Sequence, residues 1–231
     1  MTEVSQDLRM FLATLNNRVK KIEGMFNQDS ENDCKTLHLM RDKKAIAISS
    51  AVRIKDVVLL YPNLNISNYN PDVDEGLSTL VLIPNDKDIV NEINKAYLNA
   101  FDYGIKKGIY PKNTTMDMIK KKTNESLFID VNSFVANQKD DNKEFCQSLA
   151  QNKLMIRNVK VGNDETGKLS VVLRDKEGKL LDPNERISSG DTGEIVIKFY
   201  PYSHKGKVGI SRYIQGFIRT SECISQKSIY I

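Results

Sequence analysis

Two strand-like runs of alternating apolar and polar residues occupy the segment Gly190–Ser221, and a turn rich in Lys and Gly joins them. Side chains of a strand point alternately to its two faces, so Ile195, Ile197 and Phe199 of the first run share one face. The opposite face of this run carries Val196, Lys198, Tyr200 and Tyr202. The pattern predicts a strand with one face in the core and a basic, aromatic face in solvent.

The second run repeats this arrangement. Alternation places Ile210, Ile214 and Ile218 on the core side and Tyr213, Phe217 and Arg219 on the other side. The two runs therefore predict a hairpin that gathers rings and cations on one surface.

The N-terminal segment Val4–Phe26 has apolar residues at three- and four-residue spacing, which predicts an amphipathic helix that ends in the polar run after Gly24. Such a helix can pack on the rest of the protein or pair with a second copy. Its length of about three heptads favours packing.

Strand character begins at Lys43 and continues to Pro62, with Arg53, Lys55 and Tyr61 on related faces, opposite Val52, Ile54 and Leu60. Another strand is predicted over Leu77–Pro84, after which Asn85 or Asp86 caps a helix. The apolar face of that helix comprises Ile89, Ile93, Ala96, Tyr97, Ala100, Phe101 and Ile105, and Gly104 and Gly108 mark its end.

The region after this helix alternates between polar runs and short elements. Residues Tyr110–Asn124 include Lys120, Lys121 and Lys122, a run typical of a solvated surface. Ser126–Val135 predicts a strand, DDNKEF a short helix, and LMIRNVKVG a further strand. KLSVVLRDKEGKLLDP predicts a strand and a turn around Glu177 and Gly178.

These elements predict a mainly β protein with inserted helices, an α+β fold in one elaborated domain. About five or six strands with one conspicuous helix fit an OB-fold, the five-stranded Greek-key barrel, and a β-sandwich is the alternative. The predicted boundaries are an N-terminal helix and polar connection at 1–42, the OB-fold domain at 43–222 and a short tail at 223–231.

Composition narrows the function classes. The chain has 231 residues, 40% of them hydrophobic, which is enough for a normal core. Its longest apolar runs, such as Val57–Leu60, fall far short of the ~20 residues of a membrane span, and the N-terminus lacks a signal-peptide pattern, so we expect no membrane partner. Three scattered cysteines indicate a reducing compartment.

Charge is informative through its distribution. The net charge of +4 permits a polyanionic partner. Five cations are interleaved with the aromatic residues of the predicted hairpin: Lys198, Lys205, Lys207, Arg212 and Arg219. Exposed rings beside cations suit single-stranded nucleic acid, because each base offers a π-face and each nucleotide a phosphate. Strand Tyr and Phe residues are also common packing residues, which is the alternative for each ring taken alone.

Catalytic or metal chemistry has little support in the sequence. Cys34 and His38 are four residues apart but lack a second pair for a tetrahedral zinc site. The acidic clusters Asp72, Asp74, Glu75 and Asp140, Asp141 fall in polar segments without a matching His. We therefore expect no enzyme, no metal and no cofactor.

Several segments, in a shared order, resemble the single-domain OB-fold single-stranded DNA-binding proteins of tailed bacteriophages. VRIKDVVLLYPNL is similar to the opening strand of that family, and LVLIPNDKDIVNEINKAYLNAF to its strand, proline turn and helix. DKEGKLLDP resembles an Asp-x-x-Gly-Lys turn, and ISSGD the turn before the penultimate strand. IKFYPYSHKGKVGIS resembles the aromatic hairpin and is the most specific match.

The resemblance covers most of residues 43–222 and implies a non-enzymatic, largely sequence-independent single-stranded DNA-binding protein. Such a protein acts in phage DNA replication or recombination, in the cytoplasm of the infected bacterial host. Cations would contact phosphates and rings would stack on bases. The predicted nucleic-acid-binding residues are Arg53, Lys55, Tyr61, Lys198, Tyr200, Tyr202, Lys205, Lys207, Arg212, Tyr213, Phe217 and Arg219.

Candidate partners beyond single-stranded DNA are phage replication proteins such as polymerase and helicase, and a homodimer through the N-terminal helix. The chain departs from the family where Asn85 follows Pro84 in place of the usual lysine, and where the C-terminus reads SECISQKSIYI in place of an acidic tail. Recruitment through an acidic tail is therefore not carried over. The alternative function is an interaction or structural module whose basic hairpin docks an acidic partner.

Overall fold

The computed structural model describes residues 43–66, 76–123, 127–163, 168–182 and 185–223. The chain divides into two units, Met1–Lys43 and Lys44–Ile231, and all elements below belong to the second. Three predicted features lie outside the described residues: the helix Val4–Phe26, the Cys34 and His38 pair, and the acidic residues Asp72, Asp74 and Glu75. The side chains of Lys121, Lys122, Asp140 and Asp141 are likewise not described.

Eight strands and four helices make up the described part of the chain. In chain order they are β1 Ala45–Ile48, β2 Ala51–Asn63, β3 Ser78–Pro84, α1 Lys87–Lys106, α2 Met116–Thr123, α3 Val131–Ala136, α4 Asp140–Ala150, β4 Lys153–Asn163, β5 Leu169–Ser170, β6 Val172–Arg174, β7 Thr192–His204 and β8 Lys207–Ser221.

Five long strands pair in a closed ring, in the order β2, β3, β4, β8, β7 and back to β2. The pairing of β4 with β8 is parallel and the other four are antiparallel. The short strands β1, β5 and β6 add to β2, β4 and β8. The prediction of a mainly β protein with inserted helices is confirmed.

The interior of the ring is the main core. Every ring strand contributes buried side chains to it, among them Ile54, Val81, Ile156, Ile197 and Ile214. The apolar face of α1 joins the same core, where the Tyr97 ring meets the Phe199 ring edge-on at 5.5 Å. Burial of this apolar surface is the main stabilising term of the domain.

Helix α1 begins where the sequence predicts. The Asp86 carboxylate accepts hydrogen bonds from the backbone N–H groups of Asp88 and Ile89 at 2.8 and 3.4 Å, and these bonds lower the pKa of Asp86. Ile105 is exposed, however, so its assignment to the apolar face is wrong. Gly104 is the buried residue near the helix end. A larger side chain would clash there, because a Cβ at this position would lie 2.9 Å from the Pro201 Cβ.

Two helices occupy positions where the sequence predicts otherwise. The segment predicted as a strand over Ser126–Val135 contains α3, whose first N–H groups bond to the Asp130 carboxylate. Among the described residues of this segment, only Ile129 keeps strand character, in a bridge to Met155. Helix α2 forms in the segment predicted only as polar surface, and its Ile119 is fully buried in the main core.

Helices α3 and α4 cover part of the outer side of the ring. They bury the outward side chains of β2, β3 and β4, which we call the covered face: Val58, Leu60, Leu82 and Met155. Val131 and Val135 of α3 and Cys146 of α4 complete this second cluster. The prediction that Leu60 faces the same side as Val52 and Ile54 is therefore wrong.

Bulges explain why simple alternation fails along β2 and β4. The register shifts between Ile54 and Val57 and again between Leu60 and Asn63. Asp56, Tyr61 and Asn158 at such irregularities have φ values of 57°, 48° and 54°. Each bulge adds a residue that moves the following side chains to the other face.

Candidate nucleic-acid interface

The hairpin of β7 and β8 forms as predicted. Its strands pair from Thr192 with Ser221 to His204 with Lys207. Lys205 and Gly206 make the two-residue turn, and their φ values of 47° and 75° fit a turn that needs positive φ at both central positions. Glycine meets this requirement without strain, which is why Lys-Gly marks the turn in the sequence.

The outward side chains of the hairpin and of the end of β4 form a second surface, which we call the open face: Lys160, Lys198, Tyr200 and Tyr213. A groove of about 770 Å³ runs along it. Its lining residues are Val161, Gly162, Asn163, Ser170, Lys198, Tyr200, Tyr213, Ile214 and Gln215. The structure thus brings together three predicted site residues, Lys198, Tyr200 and Tyr213.

Strand register orders the open face. Tyr213 pairs with Lys198 of β7 on one side and with Lys160 of β4 on the other. Lys160 and Tyr200 are exposed, and Lys198 and Tyr213 are half-buried. Among the described residues no carboxylate forms an ion pair with Lys160 or Lys198. The open face therefore presents two cations beside tyrosine rings.

Sequence reasoning missed Lys160 and Gly162. The alternation of apolar Val159 and Val161 with Lys160 is visible in the sequence, and the structure shows the two valines buried and the lysine exposed. What the sequence could not show is the parallel pairing of β4 with β8, which places Lys160 beside Tyr213, a residue far away in the chain.

Tyr202 belongs to the hairpin but does not line the groove. Its ring lies over Gly209, where a Cβ would be 2.6 Å from the Tyr202 hydroxyl oxygen. The nearby Tyr110 hydroxyl donates to the Gly209 carbonyl at 2.9 Å, and burial raises the pKa of Tyr110 well above its usual value. Tyr202 is half-buried, and its ring is held at this contact.

Phe217 is a core residue, so the prediction that it faces solvent is wrong. It is fully buried, and its ring fills space that Gly193 leaves, since a Cβ at Gly193 would lie 2.8 Å from Phe217 Cε2. The cause is a bulge at Gln215, because Val196 pairs with Gly216 and Ile197 with Ile214. The extra residue turns Phe217 inward and Ile218 outward.

Arg219 is also buried, contrary to the prediction. The same bulge turns it inward, where its guanidinium contacts Glu185 and Glu222 and lies 3.9 Å from Asp191. The buried Asp191 carboxylate in turn accepts from the N–H groups of Ser188 and Cys223. Arg219 thus stabilises the chain around Asp191 and is not available to a phosphate.

Arg212 likewise points away from the open face. It pairs with Phe199 and Val159, both core residues, so its side chain shares their inward direction. Its Nη1 donates to the Arg157 carbonyl at 2.9 Å, and the residue is 7% exposed. The prediction that Arg212 faces outward beside Tyr213 is wrong, and its contact with a phosphate stays a prediction.

The remaining predicted cations are at the surface but outside the groove lining. Arg53 is exposed and forms an ion pair with Glu194, and Lys55 is half-buried. Lys205 and Lys207 are exposed at the hairpin turn.

Tyr61 lies against the helices of the covered face. Its hydroxyl is 3.1 Å from Gln138 Oε1 and 3.4 Å from Cys146 Sγ. Tyr61 is 44% exposed, and the partial burial of its hydroxyl, with the contact to Cys146, raises the pKa of Tyr61 to about 12. The structure therefore does not bring Tyr61 to the groove with Tyr200 and Tyr213.

Two negative findings concern the described residues alone. No group of three or more His, Cys, Asp and Glu side chains in that part of the chain could hold a metal ion. No helix within it is long and apolar enough to cross a membrane.

Comparison with known proteins gives structural neighbours only. No protein-family model matches the sequence, and no curated protein matches it significantly. Two structures of the single-stranded DNA-binding protein from bacteriophage Enc34, one in complex with single-stranded DNA and one a C-terminal truncation, are similar with TM-scores of 0.46 and 0.47 and identities of 17% and 18%. Each of these two alignments covers 78% of this chain and 92% of the Enc34 protein chain.

A crystal structure of a single-stranded DNA-binding protein encoded by bacteriophage T7 is similar with a TM-score of 0.42 and 13% identity, over 78% of this chain and 97% of the other. These neighbours are phage single-stranded DNA-binding proteins, the class that the sequence motifs resemble.

Proposed function

We propose that this chain binds single-stranded DNA, largely without regard to sequence, through the groove of the open face. The observation that carries the proposal is that Tyr200, Tyr213 and Lys198 line one groove that opens to solvent. Rings give stacking platforms that accept any base, and the ammonium group of Lys198 attracts the phosphates of the same strand. No feature of this arrangement requires a reaction, so the proposed role is non-enzymatic.

The proposed fold type is the OB-fold. The closed order of five strands with one parallel pair supports it, because an OB-fold is a five-stranded Greek-key barrel. In such a barrel the second and third strands, here β3 and β4, present a nucleic-acid-binding face. Helices α3 and α4 cover part of that face at Leu82 and Met155. The proposed site is therefore shifted to the end of β4 and the β7–β8 hairpin.

The biological setting is proposed from the sequence motifs. Their resemblance to phage single-stranded DNA-binding proteins supports a role in phage DNA replication or recombination, in the cytoplasm of the infected host. Polymerase and helicase are then candidate partners.

Titration of the protein with oligothymidine tests the binding. The chain has no Trp, so stacking on Tyr200 and Tyr213 should quench the intrinsic tyrosine fluorescence. We expect affinity for single strands to exceed that for duplex DNA, and the logarithm of that affinity to fall linearly with the logarithm of salt concentration. The same titration with RNA of equal length, at one low and one high salt concentration, shows whether the protein prefers DNA or RNA.

An absence of both quenching and salt dependence would contradict the proposal. Equal affinity for duplex and single strands, or none for either, would favour the interaction module that docks an acidic protein surface.

A further inference from the structure

We infer that β4 supplies two further residues of the binding site: Lys160 holds a phosphate beside Tyr213, and Gly162 seats the Tyr213 ring. This inference rests on the proposed binding of single-stranded DNA and extends it to a strand outside the hairpin. Neither residue belongs to the aromatic hairpin from which the site is predicted.

The position of Lys160 follows from register. Lys160, Tyr213 and Lys198 form one row across β4, β8 and β7. Neighbouring strands are ~4.8 Å apart, so the two lysine Cα atoms are about 10 Å apart with the ring between them. A base stacked on Tyr213 would then have a cation on either side, one from each flanking strand.

Gly162 makes room for the ring. It lies two residues after Lys160, and a Cβ at this position would be 3.2 Å from Tyr213 Cδ1 and 3.3 Å from Cγ. That distance is tighter than ordinary van der Waals contact, so a side chain here would push the ring away from β4. With glycine, Tyr213 packs on the β4 backbone and still lines the groove.

The hairpin turn offers the competing location for phosphate contacts. Lys205 and Lys207 are exposed there, but neither pairs across strands with Tyr200 or Tyr213, since Lys207 pairs with His204 and Lys205 lies in the turn. Between the turn and Tyr200, Pro201, Val208, Gly209 and Ile210 are buried and the Tyr202 ring is held over Gly209. A strand that followed the hairpin to its turn would meet cations without an open ring.

Salt dependence of oligothymidine binding separates these locations. Lys160→Gln and Lys198→Gln should each reduce the slope of log affinity against log salt by about 0.7, and the double variant by about 1.4, the values for one and two phosphate contacts of a single strand. Lys205→Gln and Lys207→Gln test the competing location at the turn, and each should reduce the slope by less than Lys160→Gln does.

Substitution of Gly162 should change affinity but not the salt slope, because it removes no charge. Gly162→Val should weaken binding and reduce tyrosine quenching while the salt slope stays that of the wild type. In a Tyr213→Leu background the same substitution should have no further effect on affinity, since the ring that it displaces is gone. Gly162→Ala is the gentler variant, used if Gly162→Val lowers stability by denaturant unfolding.

The outcomes distinguish this inference from the proposed function. If the wild type shows no salt-dependent binding of single strands, the proposed function fails. If it binds but Lys160→Gln keeps the full slope, or the turn variants lose as much slope as Lys160→Gln, the role of Lys160 is overturned. A Gly162→Val effect that persists undiminished without Tyr213 overturns the role of Gly162.

Discussion

The covered face and the open face both consist of outward side chains of the same ring of strands, yet they differ in what lies on them. Val58, Leu60, Leu82 and Met155 are apolar and buried under α3 and α4, whereas Lys198, Tyr200 and Tyr213 line an open groove and Lys160 is exposed beside Tyr213. Removing apolar surface from water is favourable by about 25 cal/mol per Å², so the first set stabilises helices packed on it. Lys and Tyr keep a polar end in water and need no such cover.

Strand β4 belongs to both faces, which shows how local the difference is. Met155 is buried under the helices, and Lys160, five residues later, is exposed. The irregularity at Asn158 lies between them. The outward direction of a side chain therefore does not predict a binding surface; an outward ring and cation left uncovered do.

The largest expected effect tests whether Phe217 belongs to the core. Phe217→Ala should lower the free energy of unfolding by about 3–5 kcal/mol, because it removes a fully buried ring from a packed interior. Tyr200→Ala is the matched control on the open face, and should change stability by less than about 1 kcal/mol. Urea unfolding of both variants measures the difference. Similar losses from the two substitutions would mean that Tyr200 is as much a packing residue as Phe217.

The next effect concerns the covered face. Leu82→Ala should lower the free energy of unfolding by about 2–5 kcal/mol, since the Leu82 side chain projects from β3 and is fully buried under α3 and α4. Hydrogen exchange should also become faster at the backbone amides of α3 and α4, because their packing surface is reduced. A stability loss without faster exchange in α3 and α4 would show that these helices do not depend on the covered face.

Much of the fold was predictable because local signals agree. The alternation from Ile195 to Tyr202 and the Lys205–Gly206 turn predict the hairpin, and Asp86 predicts the start of α1. The prediction over Ser126–Val135 was wrong because the cap at Asp130 and packing against the ring favour a helix. A strand-like composition in a short segment does not outweigh such tertiary contacts.

Only part of the candidate site was predicted, because simple alternation holds on one side of a bulge and fails on the other. Lys198, Tyr200 and Tyr213 precede the bulge at Gln215, so simple alternation places them correctly. Phe217 and Arg219 follow it and are reversed. The sequence contains no strong local mark of a one-residue bulge, and none of the parallel pairing that adds Lys160.

A third prediction concerns binding at the open face. Tyr213→Leu should weaken oligothymidine binding by about 1–3 kcal/mol, the range for a base stacked on an aromatic residue. Tyr202→Leu should weaken it less, because the Tyr202 ring is held over Gly209 outside the groove lining. Fluorescence titration at fixed salt compares the two. A larger loss from Tyr202→Leu would move the stacking site toward the hairpin turn.

A fourth, smaller effect is the pH dependence that Tyr61 gives the covered face. Its pKa is raised from 10.0 to about 12 in the folded protein, so folding favours the neutral phenol. The stabilisation that it contributes is complete below pH 10 and is lost as the pH rises toward about 12. Unfolding at increasing pH should therefore show a weaker decline in stability for Tyr61→Phe than for the wild type.

The same variant also tests whether Tyr61 contacts DNA. Binding of single strands at neutral pH should be the same for Tyr61→Phe and the wild type, and a loss of affinity in the variant would place this residue in the site.

The smallest expected effect lies at the border of the open face on β2. Arg53 is ion-paired with Glu194, so a phosphate would have to displace a carboxylate to reach it. The charge-neutral double variant Arg53→Gln/Glu194→Gln should keep the salt slope of the wild type and change stability by at most about 1 kcal/mol, as for other exposed ion pairs. Lys198→Gln, measured beside it, should lose about 0.7 of the slope. If the double variant lost as much slope as Lys198→Gln, Arg53 would contact phosphate in the complex, and the open face would extend across β7 onto β2.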